Sequence, residues 1–246
     1  MSLSVLKKDL EKLADRGKAV ILARFFKTGK GQYGEDDIFL GVTVPKQREI
    51  AKKHQDLAFW DVKKLLRSRI HEHRLTGLLI LVQQFQKADE KAKKSIVDFY
   101  LKNTKYINNW DLVDLSANHI LGAYLLGKDA SILKKLAKSK NLWERRIAMI
   151  ATFAFIYKNQ FKETLEIARI LVHDSHDLIQ KAVGWMLREV GKKNQAVEEK
   201  FLQKYYKTMP RTTLRYAIER FDEKKKMFYS ERENTGIHVG NESRIQ

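Results

Sequence analysis

Arg146-Ile147-Ala148-Met149-Ile150 sets a cation immediately ahead of an apolar run rich in small residues, and the arrangement returns along the chain. Lys181-Ala182-Val183-Gly184-Trp185 repeats it 35 residues later, Arg215-Tyr216-Ala217-Ile218 follows 34 residues after that, and Arg74-Leu75-Thr76-Gly77-Leu78 precedes it by 72. Half of that last interval lands on Trp110, which makes a five-member series whose unit is a pair of helices. A period in the mid-thirties to forties built from helix pairs is the signature of an α-solenoid of the HEAT type. The expected fold is all-α: a right-handed α-solenoid of HEAT-like helical pairs forming one curved domain over 1–230. In such a stack equivalent helices line one concave surface, and a cation at the same register in each makes a basic groove wide enough for a duplex.

Composition agrees. Two prolines and twelve glycines in 246 residues leave little material for the turns of an all-β fold, and Lys, Leu, Glu, Ala and Arg favour helix. The formal charge of +18 exceeds what solubility requires and points to a polyanion held by many phosphate contacts. Runs such as Lys91 to Lys94 and Lys224 to Lys226 read as solvated helix faces, but they do not explain an imbalance spread over the whole chain. Zero cysteines exclude disulfides, thiolate zinc sites and cysteine nucleophiles. The first residues carry no signal-peptide core, and no apolar run reaches the ~20 residues needed to cross a bilayer. A cytoplasmic protein of the bacterial cytosol and nucleoid, with no membrane contact, is expected.

Outward from the repeats, residues 3 to 27 read as a helical hairpin broken near Asp15-Arg16-Gly17. Thr28 to Pro45 holds four glycines and reads as a long loop. Within it Gly29-Lys30-Gly31-Gln32-Tyr33-Gly34 matches G-x-G-x-x-G formally, but a helix precedes it and acidic Glu35, Asp36 and Asp37 follow, so a dinucleotide site is rejected. Beyond it helices are expected at 46–54, 58–69, 72–87, 90–103, 109–126, 129–138, 142–158, 161–172, 176–191, 194–207 and 210–228. The stretch 147–157 is apolar all round and reads as a central buried helix. Residues 231–246 lose periodicity and read as a flexible tail.

No metal or cofactor is expected. The seven histidines form no H-E-x-x-H, and His71 and His73 fall on different helix faces. Neither a G-x-S-x-G elbow nor a P-loop occurs. What remains is Asn108-Asn109-Trp110-Asp111-Leu112-Val113-Asp114. Asn108 reads as the N-cap of a helix with Asp111 at its third position, where negative charge suits the helix dipole. Asp114 has no such duty and shares a face with Trp110. Taken alone, Trp110 and Trp185 read as core aromatics and Asp114 as the partner of a neighbouring arginine. Jointly, two tryptophans at related repeat positions and a carboxylate would converge on the basic side.

At these residues the chain resembles the HEAT-like repeat DNA glycosylases of the alkylation-repair family, the AlkD-like 3-methyladenine DNA glycosylases. The resemblance runs over about residues 5 to 225. It is carried by Phe39-Leu40-Gly41-Val42 with Pro45, Asn109-Trp110-Asp111 to Asp114, Trp143 to Arg146, and Ile179-Gln180-Lys181-Ala182-Val183-Gly184-Trp185 with Leu187-Arg188-Glu189. It implies that Asp114 is the catalytic carboxylate, that Trp110 and Trp185 line the sugar and base, and that Arg146 contacts DNA. It also implies that the lesion need not be flipped into a pocket, unlike most base-modifying enzymes. Departures from the family pattern are Phe25 where the typical enzyme has Tyr, Thr43 or its neighbour where it has Gln, and a longer loop over Gly29 to Asp37.

The expected function is hydrolysis of the N-glycosidic bond of cationic N3- or N7-alkylated purines in double-stranded DNA, by a metal-independent monomer without an obligate protein partner. Besides Asp114, Trp110 and Trp185, the residues expected to meet DNA are Arg74, Arg145, Arg146, Lys181, Arg188 and Arg215. The alternative is a non-catalytic member of the same architecture that binds bent or branched DNA. A scaffold for acidic proteins would show an apolar groove, against which the repeated cation argues.

Overall fold

The structure, a computed structural model, describes residues 2–231. The tail expected from 231 onward therefore lies, except for Glu231, outside the described residues. A hairpin opens the chain. Helix α1 (Leu3–Glu11) is joined to α2 (Arg16–Phe25), which begins where the Asp15 carboxylate accepts the Lys18 amide at 3.0 Å. The glycine-bearing loop ends at α3 (Val44–Lys53), with Pro45 in the first turn where its missing N–H is harmless. Then come α4 (Phe59–Leu66), α5 (His71–Lys87), α6 (Glu90–Lys102), a short α7 (Trp110–Asp114), a π-helical turn over Asn118–Gly122 and α8 (Ala123–Leu125). The chain continues through α9 (Ser131–Ala137), α10 (Leu142–Ala151), α11 (Phe153–Tyr157) and α12 (Lys162–Leu171). It closes with α13 (Asp177–Lys193), α14 (Gln195–Tyr205), α15 (Arg211–Ala217) and α16 (Glu223–Ser230).

The helices pack as a repeat in two rows. In one row α5, α7, α10, α13 and α15 touch neighbour to neighbour, and these five carry the members of the sequence series. The other row includes α4, α9, α12 and α14, packed against α5, α10 and α13. Between them lies one continuous apolar core, with Leu78, Ile80, Leu112, Ile147, Ile150, Ala182 and Met186 fully buried. Each large side chain of that kind contributes about 1.5–3 kcal/mol. Gly184 permits the α13–α15 crossing, since a Cβ there would sit 2.5 Å from both the Thr213 carbonyl oxygen and the Tyr216 Cβ. Among the described residues there is no strand, and no helix is long and apolar enough to cross a membrane.

Three expected helices are broken, and side-chain chemistry explains each break. The 109–126 segment stops after Asp114 because the Ser116 hydroxyl donates to the Leu112 carbonyl, the acceptor its own amide would use in a continuing helix. The Ser116 amide turns to Val113 instead, and Tyr100 holds the hydroxyl from the other side at 3.0 Å. The 142–158 segment breaks at Thr152, whose amide and hydroxyl both go to the Met149 carbonyl. The 210–228 segment breaks at extended Phe221, after which Asp222 caps α16 through the Lys225 amide at 2.9 Å.

Candidate active site

An open cleft of about 470 Å³ lies between the end of α2 and helices α7, α10, α13 and α15. Trp110, Asp114, Arg146, Lys181, Trp185 and Arg188, all singled out in the sequence, line it together. The short α7 positions the first two. Its cap is Asn109, not Asn108: the Asn109 side-chain oxygen accepts the Trp110 amide at 2.8 Å, and Asn109 is fully buried. Asp111 is therefore one place earlier in the helix than expected, and its Oδ1 accepts the Leu112 amide at 2.8 Å.

Asp114 and Arg146 form a bidentate pair. Arg146 Nε donates to Asp114 Oδ1 at 2.9 Å and Nη2 to Oδ2 at 2.8 Å, while Nη1 donates to the Leu178 carbonyl. The Asp114 side chain keeps 14% of its surface exposed and that of Arg146 only 6%. All three Arg146 donor groups are thus turned inward, and the guanidinium faces a carboxylate rather than an approaching phosphate. Burial pushes the Asp114 carboxyl above the ordinary aspartate range. Arg146 opposes that shift and the Asp111 carboxylate adds to it.

The other expected DNA contacts separate. Arg74 is buried, with Nη1 on the Ser68 carbonyl and Nη2 on Asp37, so it is a structural ion pair. Arg145 is turned to Asp174 at 2.7 Å and to the Ser139 and Lys140 carbonyls at 3.1 Å. Arg215 is exposed but lines a different hollow, with Arg211 and Lys226 near the end of the described chain. The repeat register thus places cations of two kinds. Arg74 and Arg146 cap carbonyls and carboxylates between helices, and Lys181 and Arg215 reach outward.

A buried polar network supports this floor, and its members, though several were noticed singly in the sequence, were not expected to meet. His71 donates Nε2–H to Asp111 Oδ2 at 2.8 Å and Nδ1–H to Asp37 Oδ2 at 3.0 Å, and Asn109 approaches the same Asp37 oxygen at 3.4 Å. Burial opposes a charge on His71, but the Asp111 and Asp37 carboxylates outweigh it and raise its pKa to about 9. For Asp37, burial likewise opposes ionisation, and His71 with Arg74 holds the carboxyl below its usual range. Glu72, also buried, accepts the amides of Leu40, Gly41 and Val42 at 2.8–3.2 Å and so ties the loop's exit to α5. Gly41 adopts φ +86°, and a Cβ there would lie 2.1 Å from the Asp15 carbonyl oxygen.

This network has a pH consequence. A histidine whose folded pKa is raised from 6.5 to about 9 contributes stability that is fully present below 6.5 and lost as pH rises through about 9. Thermal melts between pH 6 and pH 10 are expected to fall over that window, by up to about 3 kcal/mol. In His71→Gln the fall is expected to vanish. A melt as steep in His71→Gln as in the wild type would assign the dependence elsewhere.

Aromatic packing completes the cleft. Phe26 stacks on Trp110 at 5.0 Å between centroids, Phe39 on Phe26 at 5.1 Å, and the charged His71 on Phe39 at 4.6 Å. Phe25, mostly exposed, meets the edge of Trp110 at 5.7 Å. Trp185 packs edge-on to Phe153, and its indole N–H donates to Glu189 at 3.2 Å. The glycine-rich loop, where the sequence excluded a dinucleotide site, sends Tyr33 into the cleft. No local pattern announces this; its only signal is an aromatic residue inside a glycine-rich segment. Among the described residues no group of three or more His, Asp or Glu side chains is arranged to hold a metal ion.

A helical-repeat protein with an acid–arginine pair and two indoles lining one cleft is the class that fold and site define together. The sequence of residues 6–221 matches the family of DNA alkylation repair enzymes, and the chain belongs to that family. A solved structure described as a predicted DNA alkylation repair enzyme from Enterococcus faecalis superimposes with a TM-score of 0.65 at 15% identity, covering 85% of this chain and 97% of that one. AlkD2 from Streptococcus mutans superimposes with a TM-score of 0.52 at 19% identity, covering 84% of this chain and 99% of that one. At such identities the likeness concerns the fold. No protein of curated function matches the sequence significantly.

Proposed function

We propose that the cleft is the active site of a DNA glycosylase that releases cationic N3- or N7-alkylated purines from duplex DNA. The observation that carries this reading is the convergence of Asp114, Trp110 and Trp185 on one open surface with Lys181 and Arg188. An alkylated purine already bears positive charge, so the C1′–N bond breaks with its electron pair passing to the base, which leaves neutral. No strong acid is needed at the base. The difficult species is the oxocarbenium-like sugar, which a fixed carboxylate stabilises. Water then adds to C1′ and gives its proton to Asp114 or to solvent, leaving an abasic site. Each Asp114 oxygen accepts one bond from Arg146 and retains a lone pair for sugar or water. The indole faces of Trp110 and Trp185 favour the cationic base and sugar by ~0.5–2 kcal/mol per contact.

Arg146 has its role through Asp114, whereas Lys181 and Arg188 serve DNA. Lys181 is half-buried and paired with Asp177 at 3.0 Å, a surface pair that a phosphate can replace. Lys181→Ala is expected to weaken binding of any duplex alike and to reduce the slope of log K against log salt by about 1. An unchanged slope in a fluorescence-anisotropy titration would remove Lys181 from the DNA contacts.

A second reading, a non-catalytic binder of bent or branched DNA, draws on one observation: both Asp114 oxygens already hold Arg146. Base release from duplexes carrying 7-methylguanine or 3-methyladenine separates the two. Free base in excess of spontaneous loss supports the glycosylase; salt-sensitive junction binding with no release supports the binder.

A further inference from the structure

Three lines of contact run from Trp110 to His71, which does not itself line the cleft. Asp111, next after Trp110, places Oδ2 at 2.8 Å from His71 Nε2 while its Oδ1 accepts the Leu112 amide. Asn109, just before Trp110, accepts the Trp110 amide, and its side-chain nitrogen reaches Asp37 Oδ2 at 3.4 Å; that same oxygen lies 3.0 Å from His71 Nδ1. The third line is a stack of rings. The Trp110 indole lies on Phe26 at an interplanar angle of 16°, Phe26 on Phe39 at 19° and Phe39 on the His71 imidazole at 22°. Helix α7, five residues long, is too short to hold its own shape in water, so the direction of Trp110 and Asp114 depends on such contacts.

The geometry also sets the proton count at His71. Both ring nitrogens face a carboxylate oxygen, at 2.8 and 3.0 Å, and a neutral imidazole carries one N–H, so only the imidazolium donates to both. Arg74 Nη2 stands 3.4 Å from Nδ1, farther than Asp37, and itself donates to the Asp37 carboxylate. The charges that face the ring are therefore Asp111 from α7, Asp37 from the loop and Arg74 from α5. Lys18 of α2 and Glu72 of α5 line the apolar hollow beside the ring, Glu72 with its carboxylate taken by the Leu40 and Gly41 amides. Two carboxylates thus balance one guanidinium and one imidazolium. Loss of the His71 proton leaves a buried carboxylate unmatched beside α7 and the ring with one bond to donate instead of two.

We propose that His71, as an imidazolium, is a positioning residue for the cleft: it fixes α7 and the Trp110 indole, and its deprotonation releases both. The identity of the reaction it serves rests on the glycosylase reading, whereas the orientation of Trp110 does not.

The test uses His71→Gln and Asp111→Asn in the full chain. Trp110 emission, taken by difference against the Trp110→Phe counterpart of each protein, is followed between pH 6 and pH 10. The wild type is expected to change with a midpoint at the raised His71 pKa of about 9. His71→Gln should lack that change. Asp111→Asn, which removes the carboxylate that contributes most to holding the proton, should show it at lower pH. Lys27, Tyr33 and Lys181 share the cleft with Trp110 and are present in every variant, so a change of theirs would persist in His71→Gln. Single-turnover release of 7-methylguanine at neutral pH is expected to fall about 10- to 100-fold in His71→Gln, with duplex affinity within about 3-fold, as for a misplaced catalytic group. The proposal is overturned by a wild-type emission that does not change, by a change that persists in His71→Gln, by a midpoint unmoved in Asp111→Asn, or by undiminished release in folded His71→Gln. Should His71→Gln not fold, the midpoint in Asp111→Asn decides. Should the wild type release no base, the glycosylase reading alone falls, and the emission titration decides on His71.

Discussion

Asp114→Asn is expected to lower release of 7-methylguanine under single-turnover conditions by about 100- to 1000-fold, the weight of one preorganised charge aimed at the transition state. The substitution keeps the size and planarity of the side chain and removes only its charge. Duplex affinity is expected to stay within about 3-fold, because DNA affinity rests on cations and phosphates. The wild-type rate carries the signature of the same group. Burial raises the Asp114 carboxyl above 3.8, so the rate is present above that pKa and lost as pH falls through it, with a midpoint on the high side of an ordinary aspartate. A rate in Asp114→Asn equal to that of the wild type would remove this residue from the chemistry.

Arg146→Gln is expected to reduce release at neutral pH by at least about 10-fold, and the form of the loss identifies the cause. Removing the guanidinium leaves burial unopposed at Asp114, so the acid limb of the rate profile should move upward and activity should recover toward alkaline pH. A phosphate-binding arginine would behave otherwise, reducing the salt slope by about 1 and leaving the pH profile in place. Stability offers an independent check. Breaking a buried pair by removing one partner costs about 3–5 kcal/mol. The double variant Asp114→Asn/Arg146→Gln should therefore melt higher than the sum of the single losses. Additive losses in denaturant melts would contradict the coupling.

Much of the repeat was legible because it is a long-period signal summed over many residues. The series at Arg74, Trp110, Arg146, Lys181 and Arg215 falls on five helices packed side by side. Helix breaks were less legible, since they are decided by single hydroxyls such as Ser116 and Thr152 that compete for one carbonyl each. At the cleft, residue type pointed to Trp110, Asp114 and Trp185, and Asp114 taken alone read as the partner of a neighbouring arginine, but which arginine did not follow from it. Nothing in the spacing of 32 residues says that Arg146 turns inward to Asp114 rather than outward, because that depends on the α7–α10 crossing. The same holds for Asp37, His71 and Asp111, which meet only after a glycine-rich loop folds back on α5 and α7. Asn109 replaced Asn108 as the cap through a one-residue shift, the ordinary uncertainty of a helix start.

The most direct measurement is the amount of free base released by the wild-type protein in a single turnover from a duplex carrying one 7-methylguanine, set against spontaneous depurination of the same duplex. The expected result is free 7-methylguanine well above the spontaneous level, with an equal amount of strand cleavage after alkali at that position. Release no faster than spontaneous, from a protein shown to bind the duplex in a salt-dependent manner, would contradict the assignment of the cleft as a glycosylase active site.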